Sequence, residues 1–166
     1  MKSDYTIRPM QLEDALQVHS LESAIYPHPW SLKSFRFEIE NNKTSRPWVV
    51  VLDDPEGPIR VLAYIVAWQI IDEIHIANLA VHVSYRRQGL AKELIRKILN
   101  LAILDGINQA CLEVRAGNFP AQTLYQEFGF EPTGLRKNYY QDTREDAIIM
   151  CNESLNDSIF LKAELL

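Results

Sequence analysis

The segment that most constrains the fold is a long amphipathic stretch, residues 89–104, between two short apolar runs. Its apolar side chains recur at helical spacing, and Asp105-Gly106 follows as a stop signal. Residues 73–83 before it and 110–114 after it have the composition of strands. A helix that crosses over between two strands most often joins parallel neighbours. The sequence therefore predicts a parallel strand pair within a sheet.

The rest of the chain predicts further strands and helices in the order β-α-α-β-β-β-α-β-α-β-β. Pro and Gly punctuate the pattern, and Ser31 is a suitable cap for the second helix. The predicted strands are 5–9, 48–52, 59–71, 73–83, 110–114, 134–140 and 146–152, and the predicted helices are 11–23, the segment after Ser31, 89–104 and 120–128. This order predicts an α/β (α+β) fold, with a mixed sheet of about six to seven strands flanked by helices.

Composition limits the function classes. With 166 residues, 47% of them hydrophobic, the chain suits one domain, which we expect at 1–152 with a C-terminal extension at 153–166. A net charge of -5 without a long basic block argues against a nucleic-acid partner. No apolar run is long enough for a membrane span, and the first residues do not resemble a secretory signal.

The two cysteines, Cys111 and Cys151, lie in strand-like runs without metal-ligand spacing. Buried, reduced thiols are the expected state, in preference to a disulfide or a metal site. We accordingly expect a cytoplasmic protein without a metal.

Residues 86–92 form the most informative segment, because they join a strand to the start of the long helix. Free backbone N–H groups and the helix dipole favour an anion at such a position, and Arg86, Arg87 and Lys92 add positive charge. Gly89 has no side chain, so phosphate oxygens can approach the backbone there. The segment is neither a Walker loop nor a dinucleotide fingerprint. By itself it fits a pyrophosphate site and an ordinary solvated helix start equally well.

Several motifs together resemble the GNAT acetyltransferases. Arg86-Arg87-Gln88-Gly89-Leu90-Ala91 is similar to the acyl-CoA motif of that family and follows Asn78-Leu79-Ala80-Val81 at the family's spacing. Segments 112–118, 121–125 and 128–130 resemble the later family motifs. Pro29-Trp30-Ser31, Arg136-Lys137-Asn138-Tyr139-Tyr140 and segment 144–150 resemble a narrower group, the RimI-type enzymes and their protein N-terminal acetyltransferase relatives. Ala91 and His28 depart from the commoner residues of these motifs.

The resemblance implies acetyl-CoA as co-substrate and a protein N-terminus as acceptor, for example the N-terminal alanine of a small-subunit ribosomal protein. It implies that the two parallel strands splay apart, that Glu113 is the general base and that Tyr125 protonates the departing thiolate. Pro29, Trp30 and Tyr139 are expected to contact the acceptor peptide. Tyr140, next to Tyr139, is expected to flank the same entrance. The implied cofactor-binding residues are Leu79, Ala80, Val81, Arg86, Arg87, Gln88, Gly89, Leu90, Ala91, Lys92 and Asn118.

Simpler explanations remain open for these residues. Glu113 could pair with Arg115, Tyr125 could pack in the core, and His75 is a rival base or a member of a water relay. For the whole chain, the alternatives are acetylation of a lysine, polyamine or other small amine, and a non-catalytic acyl-CoA-binding module. The sequence leaves the oligomeric state and the role of the extension undetermined.

Overall fold

A computed structural model of the chain describes residues 5–157. Helices and strands follow in the predicted order, with short 3-10 turns at Leu12–Asp14, Val83–Tyr85 and Leu155–Asp157. The strands are β1 Tyr5–Pro9, β2 Ser45–Leu52, β3 Arg60–Ile70, β4 Glu73–Val81, β5 Gln109–Arg115, β6 Glu131–Arg136 and β7 Ala147–Asn152. The helices are α1 Ala15–Ile25, α2 Leu32–Glu40, α3 Leu90–Leu104 and α4 Phe119–Gln126.

The strands form a seven-stranded mixed sheet in the order β1-β2-β3-β4-β5-β7-β6. β4 and β5 run parallel, with a register that joins Glu73 to Gln109 and ends at the pair Ile76 and Leu112. Both strands continue beyond that register, β4 to Val81 and β5 to Arg115. The predicted mixed sheet, with splayed parallel strands joined through the long helix, is thereby confirmed.

The described part of the chain divides into two compact units, residues 5–67 with 78–95, and residues 68–77 with 96–157. In the first unit the apolar segment 61–67 of β3 is buried throughout, together with Phe35 of α2. In the second unit, Leu112 of β5 is buried with Ile98 of α3 and Met150 of β7. Each unit therefore contains its own set of fully buried apolar side chains.

The start of α2 follows the predicted capping chemistry. Ser31 has extended backbone angles, and its side chain accepts a hydrogen bond from the N–H of Ser34 at 3.0 Å. At the first helix, a 3-10 turn precedes α1, and the carboxylate of Asp14 accepts from the N–H of Gln11 at 2.7 Å. The predicted helix at 11–23 therefore begins as a 3-10 turn and ends slightly later, at Ile25.

The closing hairpin differs from its predicted boundaries. β6 starts at Glu131, despite Pro132, because β6 is the last strand in the sheet order and an edge strand tolerates a proline. The register against β7 shifts between Pro132 and Gly134. Asn138 has a φ of 51°, so the chain turns there and the strand does not extend to residue 140.

The prediction that Cys111 and Cys151 are reduced thiols is wrong, because the two residues form a disulfide in this structure. They are direct register partners on the antiparallel strands β5 and β7, with their Cα atoms 4.1 Å apart. The bond joins residues 40 apart in sequence. Sequence spacing could not reveal this pairing, because the strand register decides which side chains face each other.

The first part of the predicted extension docks on its own unit. Leu155 is fully buried, and its N–H donates to the carbonyl of Asn108 at 3.0 Å. The N–H of Asn156 donates to the side chain of the same asparagine at 2.8 Å. Residues 158–166, which include the apolar Ile159, Phe160 and Leu161, lie outside the described residues.

Candidate active site

Glu113 of β5 forms a carboxylate–imidazole pair in the second unit. Its Oε2 lies 2.9 Å from Nε2 of His75, and its Oε1 lies 3.4 Å from a guanidinium nitrogen of Arg136. Parallel pairing produces this geometry, because His75 is the register partner of Cys111 and Glu113 follows two residues later on the same strand face. The carboxylate and the imidazole are both partly exposed, with relative side-chain accessibilities of 14% and 19%.

The pair has the chemistry of a proton acceptor. A carboxylate fixes the tautomer and ring orientation of a neighbouring imidazole, and the two groups can share a proton. The indole of Trp68 stacks on the imidazole at 5.8 Å between ring centroids, which holds the ring plane. The structure therefore brings His75 to Glu113, while Arg115 makes its ion pairs with Asp142 and Glu145.

Tyr125 lies on α4 and is 8% exposed. Its ring packs edge-on against Phe130 at 5.8 Å, so Tyr125 does have the core packing that the sequence left open for it. A packed ring also fixes the direction of the phenol, which a proton donor requires. Asn118 caps the same helix, since its Oδ1 accepts from the N–H of Ala121 at 3.2 Å.

Arg115 of β5 contacts several residues of the segment between β6 and β7. It binds Asp142 at 2.9 Å and Glu145 at 3.4 Å, and its guanidinium lies 3.9 Å from the centroid of the Tyr140 ring. The carboxylate of Glu145 also accepts from the N–H of Gly117 at 2.7 Å. Burial raises the pKa of Tyr140 to about 12, so this phenol stays protonated at neutral pH.

Tyr139 is the exposed member of the adjacent tyrosine pair. It is 46% accessible and packs edge-on against Tyr140 at 5.1 Å. The guanidinium of Arg136 lies 5.7 Å from its ring centroid. Arg136 therefore contacts both Tyr139, which is predicted to bind the acetyl acceptor, and the carboxylate of Glu113.

Residues 86–92, called the cradle below, lie in the first unit, at the start of α3. Arg87 and Gly89 both have left-handed backbone angles, with φ of 61° and 86°. An added Cβ at Gly89 would meet no atom within 4 Å. Glycine is therefore favoured at this position by the left-handed backbone conformation and not by a lack of space. The side chains of Arg86, Arg87, Gln88 and Lys92 are exposed, whereas Leu90 is buried and offers its backbone.

This donor set fits a pyrophosphate. The first N–H groups of a helix have no partner within the helix and carry the positive end of its dipole. Exposed cationic side chains around such a loop complement the charge of a diphosphate.

The sequence profile of the Acetyltransferase (GNAT) family matches residues 15–130, which is more than half of the chain. The chain belongs to the GNAT acetyltransferase family. The matched range includes the cradle at 86–92, Glu113 and Tyr125. The predicted family is thus confirmed, and this GNAT chain is an N-acetyltransferase by membership.

Two relatives match over nearly the whole length of the chain. The chain is 37% identical over 150 residues to a candidate ribosomal protein bS18-alanine N-acetyltransferase of Bacillus subtilis (strain 168), covering 90% of this chain and 96% of that protein. It is 33% identical over 147 residues to the ribosomal protein bS18-alanine N-acetyltransferase of Escherichia coli (strain K12), covering 87% and 95%.

Solved structures confirm the GNAT fold. The crystal structure of the ribosomal-protein-S18-alanine N-acetyltransferase from Escherichia coli matches with a TM-score of 0.78 and 30% identity, covering 90% of this chain and 94% of that chain. Ard1 from Thermoplasma volcanium matches with a TM-score of 0.78 and 25% identity, covering 91% and 98%.

Two absences apply to residues 5–157 of this GNAT chain. No helix there is long and apolar enough to cross a membrane. The same residues contain no group of three or more His, Cys, Asp or Glu side chains that could hold a metal ion.

The sequence offered His75 only as a rival base or a member of a water relay, outside the predicted catalytic pair, and indicated no role for Glu22. His75 had a signal, because it lies in the strand that precedes the cradle and an imidazole is a common proton-transfer group. Glu22 had none, because a glutamate within a helical pattern is ordinarily a solvent-exposed residue. In the structure Glu22 is 2% exposed, and its carboxylate accepts a hydrogen bond from the N–H of Trp30 at 3.0 Å. Trp30 is one of the residues predicted to contact the protein that receives the acetyl group.

Proposed function

We propose that this GNAT chain transfers the acetyl group of acetyl-CoA to the N-terminal α-amine of a protein, with the N-terminal alanine of a small-subunit ribosomal protein as the first candidate. This acceptor is proposed because about nine-tenths of the chain is similar to enzymes named for the acetylation of bS18 alanine. A ribosomal acceptor would imply a cytoplasmic location.

The cradle residues are proposed to hold the cofactor. The N–H groups of 87–91 and the side chains of Arg86, Arg87, Gln88 and Lys92 suit the pyrophosphate. The backbone of Leu79, Ala80 and Val81 is proposed to bind the pantetheine arm, as the family resemblance implies. Asn118 contributes from the start of α4. Acetyl-CoA supplies an activated thioester, so the chemistry left to the protein is positioning and proton transfer.

Glu113 and His75 are proposed to accept the proton that the acceptor must lose. An α-amine is largely protonated near neutral pH, because its ordinary pKa is about 8, and only the neutral amine attacks a carbonyl. The proton passes to Glu113 directly or through water, with His75 as the relay. The neutral amine then attacks the thioester carbonyl, a C–N bond forms and the C–S bond breaks. The departing thiolate takes a proton from Tyr125, and the second proton that the attacking nitrogen loses on becoming an amide restores the Tyr125 phenol.

Pro29, Trp30 and Tyr139 are proposed to contact the first residues of the acceptor. Pro29 and Tyr139 are exposed and Trp30 is partly exposed, so all three are available to a ligand. Trp30 packs on Phe35 at 5.6 Å between centroids, which makes it a rigid apolar surface.

Tyr125→Phe is expected to lower kcat about tenfold, because it removes the proposed proton donor while keeping the ring that packs on Phe130. The KM for acetyl-CoA should change less than about threefold. Steady-state thiol release measures both constants. Tyr5→Phe, which loses only a bond to Glu93, is the control. A fully active Tyr125→Phe enzyme would leave this residue with packing alone.

The proposed acceptor class is tested by thiol release from acetyl-CoA with a panel of amines. The panel contains peptides that differ in their first residue, the same peptides with a blocked α-amine, lysine peptides and polyamines. Turnover of Ala-first peptides that blocking abolishes supports the proposal. Turnover of lysine or polyamine alone assigns the chain to the other acceptor class, and CoA binding without any turnover indicates a binding module.

A further inference from the structure

Glu22 is the centre of a buried hydrogen-bond cluster in the first unit. Its Oε1 accepts from the N–H of Trp30 at 3.0 Å. Its Oε2 accepts from Nδ2 of Asn78 at 3.1 Å and from the hydroxyl of Tyr64. These four residues, Glu22, Trp30, Tyr64 and Asn78, are called the Glu22 cluster below. The donors come from three places: the segment after α1, strand β3 and strand β4.

The donors of the Glu22 cluster are neutral groups, so the carboxylate is satisfied by directional hydrogen bonds. Burial and the adjacent Glu22 raise the pKa of Tyr64 far above its ordinary value, which keeps this hydroxyl protonated as a donor. The hydroxyl also lies 3.3 Å from Oδ1 of Asn78. Hydrogen bonds to an ionised acceptor in a buried site are stronger than neutral ones, and leaving any of these donors without an acceptor is costly.

The Glu22 cluster and a hydrogen bond from Tyr26 together tie both ends of the α1–α2 connection to one short stretch of β4. Trp30, near the end of the connection, is bound through Glu22 to Asn78. Tyr26, at its start, donates its hydroxyl to the carbonyl of Leu79 at 2.7 Å. Asn78 and Leu79 are neighbours in sequence. Residues 26–31, which carry the proposed acceptor contacts Pro29 and Trp30, are therefore fixed relative to the strand segment proposed to bind acetyl-CoA.

We infer that Glu22 is a positioning residue that holds the acceptor-binding connection 26–31 on β4. The inference rests on the proposed function for the identity of the acceptor, but the tie itself does not depend on it. Loss of the carboxylate releases Trp30 from Asn78. The expected consequence is weaker acceptor binding, while the cradle at 86–92, which belongs to another part of the unit, keeps its geometry.

The test compares Glu22→Gln with wild type in thiol release, varying an Ala-first peptide and acetyl-CoA separately. The amide offers one acceptor oxygen in place of two, and its nitrogen is a donor facing the donors of Tyr64 and Asn78. We expect the KM for the peptide to rise about tenfold, with kcat and the KM for acetyl-CoA changing less than about threefold. Hydrogen exchange of the Trp30 amide should become faster.

Two further variants separate positioning from general stability. Glu38→Gln removes another buried carboxylate of the same unit, one that accepts from Asn42 within its own helix end, and it should leave the peptide KM unchanged. Asn78→Asp in the Glu22→Gln background reverses the direction of the hydrogen bond, since the new carboxylate accepts from the new amide. That double variant should recover a peptide KM within about threefold of wild type.

The outcomes distinguish this inference from the proposed function. If wild type acetylates the peptide and Glu22→Gln leaves both its KM and the exchange of Trp30 unchanged, the inference is overturned. It is also overturned if Glu38→Gln has the same effect or if the double variant is not rescued. If wild type acetylates no N-terminus, the proposed acceptor is wrong, and hydrogen exchange alone decides whether Glu22 holds the connection.

Discussion

Glu113→Gln is expected to lower kcat by about 10²- to 10³-fold, because general base catalysis typically contributes a factor of that order. The amide keeps the size of the side chain and can still contact His75 and Arg136, so the strand and its neighbours should remain in place. The dissociation constant of acetyl-CoA should stay within about threefold of wild type, since the cradle residues are untouched. Steady-state kinetics and calorimetric titration measure the two quantities.

The matched control for this variant is Glu131→Gln, an exposed glutamate on β6. His75→Asn in the same assay separates the two members of the pair: a smaller loss than that of Glu113→Gln is expected for a relay. A Glu113→Gln enzyme with near-normal kcat would exclude Glu113 as the base. Loss of acetyl-CoA binding with loss of kcat would instead indicate that the residue supports the structure.

Replacement of Cys111 and Cys151 by serine is expected to lower the free energy of unfolding by about 4 kcal/mol. The bond closes a loop between residues 40 apart, and a cross-link of that span removes conformational entropy from the unfolded chain. Denaturant unfolding with and without reductant measures the difference. Wild type should lose stability on reduction, and the double-serine variant should be insensitive to the reductant.

The outcome that contradicts this prediction is equally direct. If reductant leaves the unfolding curve of wild type unchanged and thiol titration finds two free thiols in the native protein, then the pair is reduced. Such a result would restore the thiol state expected from composition. Because Cys111 is the register partner of His75, kcat measured in parallel would show whether the state of the bond affects the Glu113–His75 pair.

Patterning predicted the fold well because its strongest signals are local. The apolar period of 89–104 and the flanking strands determined the parallel crossover, and the capping serine placed α2. Local signals failed where tertiary structure decides. Pro132 reads as a strand breaker but is accepted on an edge strand, and the cross-strand partnership of Cys111 with Cys151 depends on the register of β5 and β7.

The candidate site was predictable where a motif carried it. Motifs singled out Glu113 and Tyr125 as candidates, whereas the contacts around them depend on segments far apart in sequence. His75 reaches Glu113 through parallel pairing, and Arg136 reaches it from the closing hairpin. Glu22 is the extreme case, because its partners Trp30, Tyr64 and Asn78 lie on three different segments and nothing in its own sequence neighbourhood indicates burial.

The measurement that tests the central claim most directly is a competition within one peptide. A peptide that begins with alanine and contains an internal lysine is incubated with acetyl-CoA and the enzyme, and fragmentation mass spectrometry locates the added acetyl group. The account predicts acetylation of the α-amine of the first residue, with the lysine unmodified and with little product from Glu113→Gln. Acetylation of the lysine alone would contradict it.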